Sequence, residues 1–139
     1  SQRPSSPVHR VERYWSPPDE RTRLDLVGLD VDDEPIVTAE VERPTNDLHT
    51  GVPADYDAMA QCDPTAAVWV VANRALGHRV VSALVGSSKH EGRIPLDPAE
   101  IKSSTTPLER YSFSAPGCTA IRTYSSVTPE LFDQLIVDD

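Results

Sequence analysis

A chain of 139 residues is long enough for one domain with a sizeable core and too short for two ordinary ones. Its 22 acidic residues outnumber 13 basic ones, for a net charge of −9, which argues against a surface that binds nucleic acid through general basicity. Only Lys89 and Lys102 are lysines, and an acidic, lysine-poor surface is what a halophilic protein from a high-salt cytoplasm uses to stay hydrated, so the acidity says little about partners.

Cys62 and Cys118 stand far apart with no CxxC or Cys/His spacing, which indicates neither a disulfide framework nor a zinc site and reads them as small buried hydrophobes. No apolar run approaches the roughly 20 residues of a membrane span. The start of the chain lacks the apolar segment of a signal peptide. The expectation is a cytoplasmic domain with no membrane contact.

Residues 1–7, rich in Ser and Pro, read as a flexible arm, and residues 8–139 as a single domain with a core at 8–85 and a C-terminal extension at 86–139. Val8, Val11, Tyr14 and Trp15 fall at helical spacings, which predicts a short helix closed by Ser16-Pro17-Pro18. Two strand-like runs follow, Arg21 to Leu29 and Ile36 to Glu42, around the turn-rich segment Asp30 to Pro35. After the break at Pro44-Thr45-Asn46-Asp47, a helix is predicted from Pro53 to Ala60, ended by Asp63-Pro64. Ala66 to Ala72 is nearly all apolar, the pattern of a strand buried on both faces, with Trp69 in the core. Leu76, Val80, Val81 and Leu84 then mark a helix over 75–85. Gly86 to Gly92 reads as a loop without the form of a phosphate-cradling one, and the stretch to about Pro107 shows little periodicity. Two late strands, Glu109 to Ser114 and Thr119 to Tyr124, precede a helix from Thr128 with Pro129 at its first position. This order predicts an α/β domain: a mixed central sheet, antiparallel at the hairpin and parallel at Ala66 to Ala72, flanked by helices.

The hairpin carries the chemistry. If Leu29 pairs with Ile36, Asp25 lies opposite Glu40 and Arg23 opposite Glu42, while Leu24 and Leu26 face the other way with Val37, Ala39 and Val41. Like charges directly opposed across strands are destabilising, and carboxylates on neighbouring strands are what hard divalent ions bind. Arg43 leaves the second strand beside these acids and Arg74 begins the helix after the buried strand. With Arg23 and Arg79 they are the candidates for phosphate contacts. His49 and His78 each stand alone and read as solvated or locally hydrogen-bonded.

An Asp on one strand, a turn, an acid-x-acid tripeptide on the next, then helix, strand and helix: this order resembles the PD-(D/E)xK nuclease superfamily, with its restriction-endonuclease-like fold, over roughly residues 8–85. The resemblance implies that Asp25 and Glu40, with the main-chain carbonyl of Val41, hold Mg²⁺ or Mn²⁺ and that the domain hydrolyses or binds DNA. Glu42 stands where the family has Lys, a Glu-x-Glu variant that would position or deprotonate the attacking water. Glu12, on the predicted first helix, resembles an additional acid of some relatives. No Pro-Asp pair occurs on the strand, and Pro18-Asp19 lies in a loop, where a rigid metal site is not built. Tyr14-Trp15-Ser16-Pro17-Pro18 and Val68-Trp69-Val70-Val71 look like parts of domains appended to ATPases of haloarchaeal mobile elements, which implies a larger chain with an ATPase as partner. Two readings compete. One is a catalytically degenerate module of the same fold serving DNA or protein interaction. The other is an exposed acidic hairpin face with Glu42 paired to Arg23.

Overall fold

The computed structural model describes residues 8–16, 23–43, 47–86, 91–95, 106–113 and 116–137. The expected arm at 1–7, the Pro17-Pro18 break, Asp19, the tip of the loop after Gly86 and most of the irregular stretch before Pro107 lie outside them. The elements are β1 (Arg10–Trp15), β2 (Leu24–Leu29), β3 (Pro35–Val41), α1 (Leu48–Gln61), β4 (Ala66–Val71), α2 (Arg74–Val85), β5 (Ser112–Phe113), β6 (Cys118–Thr123) and α3 (Pro129–Val137).

The fold is α/β, with one mixed sheet in the order β1-β2-β3-β4-β6-β5. β1, β2 and β3 form an antiparallel meander; β4 runs parallel to β3 and β6 parallel to β4, while β5 closes the far edge antiparallel to β6. The C-terminal segment is thus part of the same sheet. β4 is buried along its whole length because both its faces are covered. Ala67, Trp69 and Val71 pack with Leu48, Val52 and Met59 of α1 and with Leu76, Val80 and Leu84 of α2. Ala66, Val68 and Val70 pack on the other face with Leu131 and Leu135 of α3. Asn73 starts α2, its side chain accepting the Leu76 N–H at 2.8 Å. No helix among the described residues is long and apolar enough to cross a membrane.

Several local expectations are corrected. Residues 10–15 form an edge strand and not a helix, paired to β2 from Arg10↔Leu29 to Trp15↔Leu24. Glu12 therefore sits on a strand. In the hairpin, Leu26↔Ala39, Val27↔Thr38 and Gly28↔Val37 keep the expected register, but Leu29 pairs with Pro35, and the bulge leaves Ile36 as the extra residue. Asp30 organises the turn, its Oδ1 accepting the N–H groups of Asp32 and Glu34 at 2.8 and 3.0 Å. Helix α1 starts at Leu48 rather than Pro53, because Leu48 and Val52 reach the core and their burial extends the helix through a proline that lacks its N–H. The first late strand is a short helical turn, Leu108–Arg110, followed by the brief β5, and Tyr124 opens another such turn after β6.

Leu24 does not share a face with Leu26. Gly28 lies on the α3 face, where a Cβ on it would meet Val8 and Val37, and alternation puts Leu26 on that face too, whereas Leu24 joins Val27 and Leu29 in the core beneath α1. β2 thus reverses its facing at Asp25. β1 does the same opposite it: Tyr14, between the pairs Arg13↔Leu26 and Trp15↔Leu24, has φ of 55°, and Trp15 turns back onto the core beneath α1.

Candidate functional site

The reversal determines what Asp25 does. Where a regular ladder would continue, its Oδ2 accepts the main-chain N–H of Val41 at 2.8 Å, so the carboxylate caps the end of the β2–β3 pairing. Glu40 and Glu42 lie on the β3 face that carries Thr38, in line with Trp69 of β4 through the pair Glu40↔Trp69. Both are buried, at 3% and 1% exposure. The exposed hairpin face is thereby overturned for these two acids.

A fourth carboxyl joins them. Asp55, in the second turn of α1, belongs to the stripe Leu48, Val52, Asp55, Tyr56 and Met59 that this helix turns toward the sheet, and Tyr56 beside it stacks on Trp69 with ring centroids 6.5 Å apart. Asp55 hydrogen-bonds to Glu42 and Glu40 to Asp25, so the acids form two carboxyl pairs. Burial, the charge of Asp55 and the Asp25 carboxylate together push Glu40 up to about 10, against a smaller pull from the Asp25 backbone N–H. Burial, then Glu42 and Asp25, push Asp55 up to about 9. Values of about 10 and about 9 keep Glu40 and Asp55 protonated at neutral pH. The Oε1 atom of Glu40 is buried without a hydrogen-bond partner.

The carboxyl oxygens here are of the type a hard divalent cation takes, and one of them, Glu40 Oε1, is a buried acceptor that no protein donor satisfies. Among the described residues no group of three or more His, Cys, Asp or Glu converges as a cation cage. An ion here would be met by one carboxyl pair, with water or substrate oxygens completing the shell, which is the usual manner of Mg²⁺.

The remaining predicted residues separate. Glu12 lies on β1 opposite Val27, paired at 3.0 Å with Arg10, which also reaches Asp33 at 3.1 Å, and it is absent from the groups that shift Glu40 and Asp55. Arg23 is exposed, its guanidinium 5.7 Å from the centre of the Tyr14 ring. Arg43 and Arg74 are exposed beyond the C-terminal ends of β3 and β4, the sheet end that carries the acids, and Arg79 is on the outer face of α2. His49 is exposed at the start of α1. His78 is buried, its Nε2 2.9 Å from the Thr106 carbonyl and its ring edge-on to Tyr111, so of the two readings the hydrogen-bonded one holds. The hollow near His49 holds Arg93 and Asp57, which satisfy each other through two bonds of 2.8 and 2.9 Å. No protein-family profile, no curated protein and no solved structure matches the chain.

Proposed function

We propose that the chain is a restriction-endonuclease-like nuclease domain that hydrolyses DNA phosphodiesters with Mg²⁺ or Mn²⁺. The observation that carries this reading is that Asp25, held by the Val41 N–H, and the buried Glu40 and Glu42 lie at one sheet end with Asp55 of α1 beside them. The order of β2 with Asp25, β3 with Glu40-x-Glu42, then α1, β4 and α2 is the order the resemblance implies.

Asp25 and Glu40 are the pair that would hold the ion, which when bound polarises a phosphate and acidifies a water. Asp25 is fixed by the Val41 N–H and Glu40 by burial in β3, so neither needs reordering to present its oxygens. Glu42, kept in place by Asp55, is the carboxylate set to take a proton from the attacking water. Arg23, Arg43 and Arg74 would receive the flanking phosphates.

A second reading keeps the fold and drops the chemistry: a module that binds DNA or a partner protein within a larger ATPase or mobile-element protein. What favours it is that Glu42 replaces the family's Lys and that no basic side chain appears among the groups acting on Glu40 or Asp55. One experiment separates the two. Plasmid, single-stranded and branched DNA are incubated at high salt with Mn²⁺ and either the native chain or Glu40→Ala. Cleavage by the native chain alone is expected. Equal cleavage by both proteins removes the assignment, and cleavage by neither leaves the non-catalytic module.

A further inference from the structure

We infer that Tyr14 is a stacking platform for an unpaired nucleobase next to the carboxylate site, with Arg23 beside it for the adjoining phosphate. The inference rests on the nuclease reading and extends it by naming the strand it takes: single-stranded, or branched with an unpaired base.

Three observations lead there. Tyr14 is 65% exposed on an edge strand, while its neighbour Trp15 packs against the core. Its backbone, at φ of 55°, lies in the left-handed region that a bulky residue rarely adopts, and such strain persists where the surrounding structure imposes it, commonly at binding sites. The reversal accompanies the exposure: regular alternation would put Tyr14 on the face that Glu12 shares with Val27, and here Trp15 takes that face and leaves Tyr14 in solvent.

Position decides the ligand. Across the β1–β2 ladder, residue 14 stands between the pairs that flank Asp25, so the exposed ring is one strand away from a proposed ion ligand. The N-terminal end of β2 and the C-terminal ends of β1, β3 and β4 share one sheet end, which gathers the exposed Arg23, Arg43 and Arg74 in a chain whose net charge is −9. Arg23 already lies over the ring at 5.7 Å. An aromatic face next to arginines is the arrangement that binds single strands, because every base has a π-face and the guanidinium meets the backbone, whereas paired bases in a duplex keep their faces stacked on each other.

The test measures binding and not cleavage. A fluorescent short oligothymidylate and its duplex with oligoadenylate are titrated with the native chain, Tyr14→Ala, Tyr14→Trp and Tyr14→Gly in Ca²⁺, with anisotropy as readout. Tyr14→Ala should weaken the single strand about tenfold and change the duplex less than about twofold, while Tyr14→Trp keeps single-strand affinity. Tyr14→Gly accepts the positive φ and should raise the unfolding midpoint yet lose the single strand, so its loss cannot come from unfolding. Unchanged single-strand affinity in Tyr14→Ala, or an equal loss on both probes, overturns the inference. If the native chain cleaves DNA and Tyr14→Ala still binds normally, only this inference falls. If the native chain neither binds nor cleaves, the nuclease reading falls with it.

Discussion

Glu40→Gln should make the protein more stable at neutral pH and change little in acid. The glutamine keeps the shape and can donate its amide N–H to Asp25, as the protonated Glu40 does, so near pH 5 the two proteins should differ by less than about 1 kcal/mol. The folded carboxyl ionises at about 10 instead of 4.5. Between those values the folded chain holds a proton that the unfolded chain releases, so stability falls as pH rises. Below the unfolded value both states are protonated and no penalty exists; above about 10 the loss is complete.

The slope from this one group is about 1.4 kcal/mol per pH unit, or roughly 2.7 kcal/mol from about pH 5.5 to 7.5, a large share of the 5–15 kcal/mol typical of a domain. Asp55 carries its own raised value from burial, Glu42 and Asp25, a contribution present in both proteins below about pH 9, where Asp55 is uncharged. Urea unfolding at several pH values in a metal-free buffer gives both curves. The native chain should lose stability relative to Glu40→Gln steadily with pH. Parallel curves would mean that Glu40 is ionised in the folded state and that the two-pair account of the acids is wrong.

Three further outcomes follow from the same geometry. Binding of Mg²⁺ should release about one proton as Glu40 gives up its O–H, read by calorimetry in two buffers of different ionisation heat, and Glu40→Gln should release none. Asp25→Ala leaves the Val41 N–H without its acceptor and should cost about 1–3 kcal/mol in urea unfolding, besides abolishing that calorimetric signal. Asn73→Ala removes the cap on the Leu76 N–H and should cost about 1 kcal/mol without touching ion binding, which makes it the stability-matched control.

Some of this site is legible in the residues and some is hidden by them. β4 can be read because a strand covered on both faces has no polar side, and Ala66 to Val71 has none. The register that brings Glu40 near Asp25 follows from the apolar alternation of the hairpin, and the bulge at Ile36 falls beyond the acids and leaves it intact. Asp55 is hidden by Pro53. Reading that proline as the first residue of a helix discards the turn with Leu48 and Val52, and only with that turn present does residue 55 fall in the buried stripe, where an acid stands out.

β1 misleads a reading of the sequence for a reason that also explains the site. The helical spacing of Val8, Val11, Tyr14 and Trp15 runs across a break in the strand: Glu12 and Trp15 share a face three residues apart, as Leu24 and Val27 do on β2, because Tyr14 and Asp25 each reset the alternation at the same level of the ladder. A period of three imitates a helix in the sequence, and only strand pairing distinguishes the two. The same reset ends regular β2–β3 hydrogen bonding at Asp25, which is why its carboxylate takes the Val41 N–H and sits against Glu40. A strand with unbroken alternation would read more easily. It would also carry Asp25 past Val41 as an ordinary ladder residue, with its side chain standing off the sheet and the Val41 N–H bonded to backbone, so the irregularity that obscures the fold is what builds the carboxyl pair.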